Sequence, residues 1–530
     1  MKKSFLLLGL SCLFVCINGF SQNSSAPLAK GQERFTNKPK LTRGPYLQVA
    51  TDTSIVIRWR TDAAVRSRVR YGNATNNLSQ TQDDLSLKTE HSIKLTGLKP
   101  STKYFYSIGT LNDTLQYGSE NYFSTLPVPG TTGHYRIGVF GDCGLPSLNQ
   151  ARTRDQFISY LKGNDMNAWI LLGDNAYNDG NDMEYQAKFF YPYQDYLLKK
   201  YPVFPTPGNH DYHDADLTVD YAQRNHSTSY FQNFSMPENG EAGGVPSHNP
   251  AFYSFDIGNI HFISLDSYGI EDGKYFLYDT TGPQVQWLKK DLEANKNKGW
   301  VVAYWHHPPH SKGTHDSDTD DVMSGVRTNI LPILDSYEVD LILCGHSHVY
   351  ERSKMMKGYY GSAQSFDASK YNVNNSSGIY NGSNNSAPYI KEKGNGKGTV
   401  YVVAGSSAYV GKSSYGLNHP AMFYSNDSAA GVAILEVVEN RLDFKWICAD
   451  GMIRDQFTMM KDVNKKSVIK VKKGEATELK ASFISDKYKW NKDGSGQRSI
   501  VVKPSSPKTT YTVTDEFGYL KDVFEVEITK

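Results

Sequence analysis

Five short clusters in this chain carry the kinds of side chain from which metal centres are built. "GDCG" presents Asp142, and "GDNAY" presents Asp174 and Tyr177. "GNHD" presents Asn209, His210 and Asp211, "HHPPH" presents His306, His307 and His310, and "GHSH" presents His346 and His348. Each follows an apolar run: "RIGVF", "WILL", "YPVFPTP", "VVAYW" and "LILC" respectively. An imidazole or carboxylate at the mouth of a buried strand costs desolvation unless it is partnered. A cation can partner several at once. Carboxylate and phenolate are hard anionic donors, whereas imidazole and amide oxygen suit divalent transition ions. In an extended chain His346 and His348 face the same way, with α-carbons about 6–7 Å apart at roughly 3.3 Å per residue. That separation suits two adjacent ions about 3.5–4 Å apart. A single Gly-Asp after a strand is usually only a turn, but five such clusters in series are specific.

The elements that must position these residues are legible between 134 and 460. "YRIGVF", "NAWILL", "HFISLD", "WVVAYW", "DLILC" and "GTVYVVAG" read as buried strands. "SLNQARTRDQFISYLKG" and "TGPQVQWLKKDLEAN" read as helices, the second with Val285, Leu288 and Leu292 on one face and Pro283 in its first turn. Such alternation predicts an α/β layered domain, and open α/β sheets carry their sites outside the carboxyl ends of the strands. Glycine before Asp142, Asp174, Asn209 and His346 permits tight turns and close backbone approach. Residues 357–396, rich in Asn, Ser and Gly, read as a long surface insertion. The hairpin "GVAILEVVENRLDFKWICAD" closes the domain.

Before it, residues 41–127 alternate apolar and polar at strand period and predict a β-sandwich. After it, residues 464–530 again read as short strands of a small Ig-like module, with a sorting domain as the rival reading. Residues 22–40 are polar and unpatterned, a linker. Residues 1–21 have Lys2 and Lys3, then an apolar stretch from Phe5, then Gly19 and Ser21: the pattern of a signal peptide, which predicts a secreted, periplasmic or cell-surface protein. No later run is long enough for a membrane helix. The formal charge is +2, and removal of Lys2 and Lys3 with the leader leaves zero, so no electrostatic footprint for nucleic acid or anionic membrane is expected. Of five cysteines, Cys143, Cys344 and Cys448 remain, too few for a disulfide framework.

The ordered set "GDCG", "GDNAY", "GNHD", "HHP" and "GHSH" resembles the calcineurin-like metallophosphoesterase signature. Tyr177 in "GDNAY" and the form "GHSHVYER" narrow the resemblance to purple acid phosphatases. "GPYLQVATDTSIVIRWRT" resembles the domain that precedes their catalytic domain, and "GLKPSTKYFYSI" resembles a fibronectin type III strand pair. The implied fold is a layered β-sandwich flanked by helices, with all-β fibronectin type III-like and Ig-like modules at its ends.

The implied centre is binuclear. Asp142, Asp174, Tyr177 and His348 would hold Fe(III), and Asp174 would bridge to a divalent Fe, Zn or Mn also held by Asn209, His306 and His346. His306 fits the family's His-x-Pro pattern, with His307 as the shifted alternative. The resemblance gives His210 a role in stabilising phosphoryl oxygens, with Asp211 orienting it. His315, nine residues past His306, would protonate the leaving group, with His310 as competitor. The acidic run "DSDTDD" reads as solvated loop that could raise the His315 pKa. The expected activity is hydrolysis of small phosphate monoesters by a metal-bound hydroxide. A phosphodiesterase or nucleotidase on the same scaffold, or an adhesion protein with an idle core, are the alternatives. Oligomeric state is not readable.

Overall fold

The computed structural model describes residues 38–392, 398–414, 416–492 and 494–529. The expected signal peptide and nearly all of the expected linker lie outside the described residues. Among the described residues no helix is long and apolar enough to cross a membrane.

Residues 41–124 form a six-stranded antiparallel sheet organised around one long strand, Ile55–Gly72. Its first half pairs with Leu41–Gln48 and its second half with Lys103–Thr110, while Gln80–Leu95 runs along its other edge. Register shifts between Arg60 and Ser67 mark where the strand passes from one neighbour to the next. Trp59, Tyr46, Tyr106 and Phe123 are buried.

The catalytic-type domain is built from two seven-stranded sheets. In one, His134–Phe140, Ala168–Leu172 and Val203–Thr206 run parallel. In the other, Ile260–Ser264, Trp300–Tyr304, Leu341–Cys344 and Val400–Ala404 run parallel. All these strands are buried along their length apart from His134 and Arg136. Successive residues face opposite sides, and the core divides accordingly. Val302, Tyr304, Leu341, Leu343, Val400 and Val402 join a core that also takes Ile137, Val139 and Ile434 of the other sheet. Val301, Ala303, Ile342, Cys344 and Tyr401 instead pack with Val285, Leu288 and Leu292 of the helix Pro283–Asn295. The other expected helix runs Leu148–Leu161, with the Ser147 hydroxyl accepting from the Gln150 N–H as N-cap. The result is the expected layered sandwich with helices outside. Cys143, Cys344 and Cys448 are free and buried.

The 357–396 stretch is not merely a surface insertion. Tyr389–Lys391 is a strand parallel to Ile453–Lys461 at a sheet edge, and Tyr359 and Tyr389 are buried. The tyrosines interleaved among Asn, Ser and Gly anchor the segment, a feature its composition masks. It is locked by Arg352, fully buried, whose Nε and Nη2 donate to Asp455 at 2.6 and 2.8 Å and whose Nη1 donates to the Ser377 carbonyl at 3.0 Å.

Residues 466–529 form a four-stranded and a two-stranded sheet with a separate core that includes Phe483, Trp490, Val513 and Val526. This module packs back on the insertion through Tyr380, whose hydroxyl donates to Asp515 at 3.1 Å. Arg498 reaches Glu439 at 2.8 Å.

Breaking a buried ion pair from one side leaves an uncompensated charge and costs about 3–5 kcal/mol. Asp455→Ala is therefore expected to lower unfolding free energy by about that amount in urea titration; a loss within experimental error would show that Arg352 finds other acceptors.

Candidate metal centre

The five cluster-bearing loops leave the carboxyl ends of five strands, three parallel in one sheet and two parallel in the other, and they meet at the end of the sandwich where those strands finish. Bonds between the two sheets hold them. His306 Nδ1 donates to the carbonyl of Leu172 at 2.8 Å, and the His346 N–H donates to the Asp142 carboxylate at 3.0 Å. Asp142, Asp174 and His346 have φ of 54°, 52° and 66°, a region that non-glycine residues seldom occupy and that clusters at functional sites. The approach is close: a Cβ on Gly173 would stand 2.5 Å from His306 Nδ1, and one on Gly345 would stand 2.4 Å from Asp142 Oδ2.

Two groups of donor atoms result, each gathered within 4.8 Å: Asp174, His306 and His346, and Asp142, Asp174 and His348. Asp174 belongs to both. Around the first, His306 Nε2 lies 3.2 Å from Asp174 Oδ2, 3.1 Å from Asn209 Oδ1 and 3.2 Å from His346 Nδ1. Around the second, the Tyr177 hydroxyl lies 2.8 Å from Asp142 Oδ1 and 3.0 Å from His348 Nε2. Ligand atoms held about 2.0–2.2 Å from one ion stand roughly 3 Å apart. All seven residues expected to bind metal thus fall in one neighbourhood with that spacing.

The donor chemistry fits cations. With Nδ1–H committed to Leu172, a neutral His306 turns a lone pair on a carboxylate, an amide oxygen and a second imidazole. Such a set of acceptors needs a positive charge at its centre. In the protein alone a proton serves: burial works against it, but the Asp174 and Asp142 charges raise His306 to about 9. Burial opposes ionisation of Asp174, yet the His306 charge holds its carboxyl below the usual range. Burial and the two carboxylates push the Tyr177 phenol well above its ordinary value, so phenolate forms there only with a cation beside it. His346, buried among other imidazoles, is held well below the ordinary histidine value, and its Nε2 lacks a hydrogen-bond partner.

The flanking histidines separate. His315 stacks on the His346 ring with centroids 3.8 Å apart. His310 is buried against Tyr359 and His419, away from both donor groups. His307 bonds through Nδ1 to Ser267 Oγ at 2.8 Å and belongs to neither donor group. His210 lies over Tyr177, with centroids 4.5 Å apart, and its Nδ1 donates to the carbonyl of Asn178 at 2.6 Å.

Three expectations need correction. Asp211 does not orient His210. It accepts from the backbone N–H of Asn175 and Gly208 and from the Tyr185 hydroxyl, bracing the loops that carry Asp174 and Asn209. The run after His315 is not a solvated face: Asp316 and Asp318 pair with Lys312 and Asp320 caps a helix; burial lowers the His315 pKa, outweighing the rise that the Asp320 charge gives it. Finally, "GHSH" is not extended. The chain bends at His346, and that bend turns His346 and His348 toward different donor groups. Sequence reading also passed over Glu184, whose carboxylate accepts from the N–H groups of Asn178, Asp179 and Gly180. A carboxylate six residues past the glycine-flanked loop is the only signal for it.

Residues 135–350 match the calcineurin-like phosphoesterase family, and residues 43–125 match the purple acid phosphatase N-terminal domain. Across residues 43–350 the chain is similar to the purple acid phosphatases among the calcineurin-like metallophosphoesterases. Purple acid phosphatase 15 of Arabidopsis thaliana is 32% identical over 294 residues, 51% of this chain and 50% of that protein. Purple acid phosphatase 21 of the same plant is 27% identical over 371 residues, 66% of this chain and 76% of that one. For the first three curated relatives the matched part is about half of their length, 50–58%. Among solved structures, the purple acid phosphatase PPD1 from yellow lupin seeds superposes with a TM-score of 0.58 at 17% identity, covering 79% of this chain and 74% of that one. PhoD superposes with a TM-score of 0.56 at 13% identity, covering 81% and 91%. Both likenesses concern the fold. A purple acid phosphatase family member is implied to carry a binuclear metal centre, and the two donor groups sharing Asp174 fit one.

At pH 7 the metal-free protein holds protons on both His306 and Tyr177, and against its burial the Asp142 carboxylate raises His348 too. Metal ligation requires the deprotonated forms. Adding a divalent ion to chelator-stripped protein in weak buffer should therefore release about two protons per chain, and apparent affinity should fall as pH is lowered. Uptake without proton release would contradict the donor set.

Proposed function

We propose that this chain is an exported acid phosphatase that hydrolyses small phosphate monoesters at a binuclear centre. The single observation that carries the reading is the carboxylate of Asp174 shared between two donor groups, one of which contains a tyrosine. Asp142, Asp174, Tyr177 and His348 would hold Fe(III). Asp174, Asn209, His306 and His346 would hold a divalent Fe, Zn or Mn. Three anionic ligands in the first set suit the trivalent ion, and the nitrogen and amide donors suit the divalent one. When bound, the pair supplies positive charge to the phosphoryl oxygens and a water of lowered pKa.

The chain's own residues do the rest. His210, fixed through its Nδ1–H to Asn178, presents its other nitrogen toward the site, where it would bond a phosphoryl oxygen. His315, against the outer face of His346, would give its proton to the departing alkoxide as the P–O bond breaks. Both roles favour acid conditions. The leader-like residues 1–21 support export.

A phosphodiesterase is the second reading on this scaffold, and Tyr177 favours the first. Three measurements test the proposal. The rate on p-nitrophenyl phosphate is expected to peak below pH 7 and to exceed that on bis(p-nitrophenyl) phosphate. Tyr177→Phe is expected to remove the visible absorption of the purified protein, which a phenolate on Fe(III) would produce. A preference for the diester, or colour that survives the substitution, would sink the assignment. Fewer than two ions per chain would favour an idle core.

A further inference from the structure

We propose that Glu351 is a positioning residue for His315, its carboxylate acting through Ser311 and Ser347 to fix the loop that carries the leaving-group acid. This inference rests on the role given to His315 above.

Glu351 is the penultimate residue of "GHSHVYER" and has no exposed surface. A buried carboxylate is costly unless hydrogen-bonded, and every partner of this one lies in the segment that leads to His315. Ser311 Oγ stands 2.5 Å from Glu351 Oε2, and the Lys312 N–H donates to Oε1 at 3.3 Å. Ser311 Oγ is also 3.0 Å from Ser347 Oγ, and it accepts from the Gly313 N–H at 3.0 Å. Ser347, seated between His346 and His348, accepts in turn from the N–H groups of Thr314 at 3.0 Å and His315 at 3.4 Å.

Each hydroxyl has a single hydrogen. Ser311 places its hydrogen on Glu351 Oε2, the nearer acceptor; burial pushes the Glu351 carboxyl up to about 7, and an unprotonated oxygen accepts in either form. Ser311 Oγ also reaches Ser347 Oγ, which accepts from the N–H groups of Thr314 and His315. Glu351 thus anchors Ser311, Ser311 lies against Ser347, and Ser347 holds the His315 backbone. Thr314 closes the circuit, its Oγ1 accepting from the His348 N–H at 2.9 Å. The fit is tight, since a Cβ on Gly313 would lie 2.2 Å from Ser347 Oγ.

The far end of the loop is held separately. Lys312 Nζ reaches Asp316 at 2.6 Å, and Arg327 Nη1 donates to the Ser317 carbonyl at 2.7 Å. Loss of Glu351 should therefore loosen residues 311–315 without unfolding the loop.

The test compares two monoesters on the metal-loaded enzyme. p-Nitrophenolate departs without a proton, whereas the alkoxide of glycerol phosphate needs one. Glu351→Ala is expected to lower kcat on glycerol phosphate about tenfold, a part of the 10²–10⁴-fold that a general acid contributes, and to change kcat on p-nitrophenyl phosphate by less than about twofold. Metal content and visible absorption should stay as in the unaltered protein. Ser311→Ala should give the same selective loss, and it serves as the measurement if Glu351→Ala is insoluble. Glu351→Gln, which keeps an acceptor oxygen, should restore most of the rate. Because both act through one group, Glu351→Ala added to His315→Ala should cost nothing further. Equal losses on both substrates, additive losses in the double variant, or unchanged rates would overturn the proposal. If the unaltered enzyme hydrolyses neither ester, the phosphatase reading itself has failed, a result separate from any of these.

Discussion

The organisation of this protein turns on one buried carboxylate. Asp174 sits within reach of His306 on one side and of the Asp142, Tyr177 and His348 group on the other. A carboxylate almost without exposed surface, ringed by other acceptors, is tolerable only when positive charge is nearby. In the protein alone that charge is a proton on His306; with metal it is a pair of cations. The glycines beside the ligands, the positive φ of Asp142, Asp174 and His346, and the bonds between the two sheets all serve to bring these groups together against their own repulsion.

Around that centre the structure adds successive rings of support. Asp211 braces the loops of Asp174 and Asn209. Glu184 gathers three backbone N–H groups after Tyr177, and Lys188 ties Glu184 to the Tyr177 carbonyl. The N-terminal domain reaches the same loop region: Arg43 and Arg60 both contact Asp182, at 2.9 and 2.6 Å. These partly exposed pairs are worth little individually, yet they give the all-β domain a direct mechanical connection to the segment bearing Tyr177. Arg352, four residues beyond His348 in the next strand, does the corresponding work for the segment that follows it. The final residues of "GHSHVYER" are therefore structural partners of the histidines that precede them.

What could be read from the sequence follows from local physics. Buried parallel strands are apolar on both faces, so "VVAYW" and "LILC" announce themselves. A helix with Pro283 in its first turn and Val285, Leu288 and Leu292 on one stripe does the same. Segments whose role depends on distant partners were misread. The 357–396 segment has loop composition, but Tyr359 and Tyr389 are buried by contacts contributed from elsewhere in the chain. Asp211 follows His210 directly, yet its partners are Asn175, Gly208 and Tyr185. The acidic run after His315 finds Lys312 and a helix N-terminus.

By itself, then, the sequence determined the donor types, their order along the chain and their placement after strands, because apolar runs, glycines and ligand residues are local properties. Which donors stand together was decided only by tertiary structure. His306 rather than His307 faces Asp174, and His315 rather than His310 lies at the mouth. His346 and His348 part company at a backbone bend. The physical reason is that donor distances of about 3 Å depend on how two layered sheets pack on each other, and chain spacing carries no record of that packing.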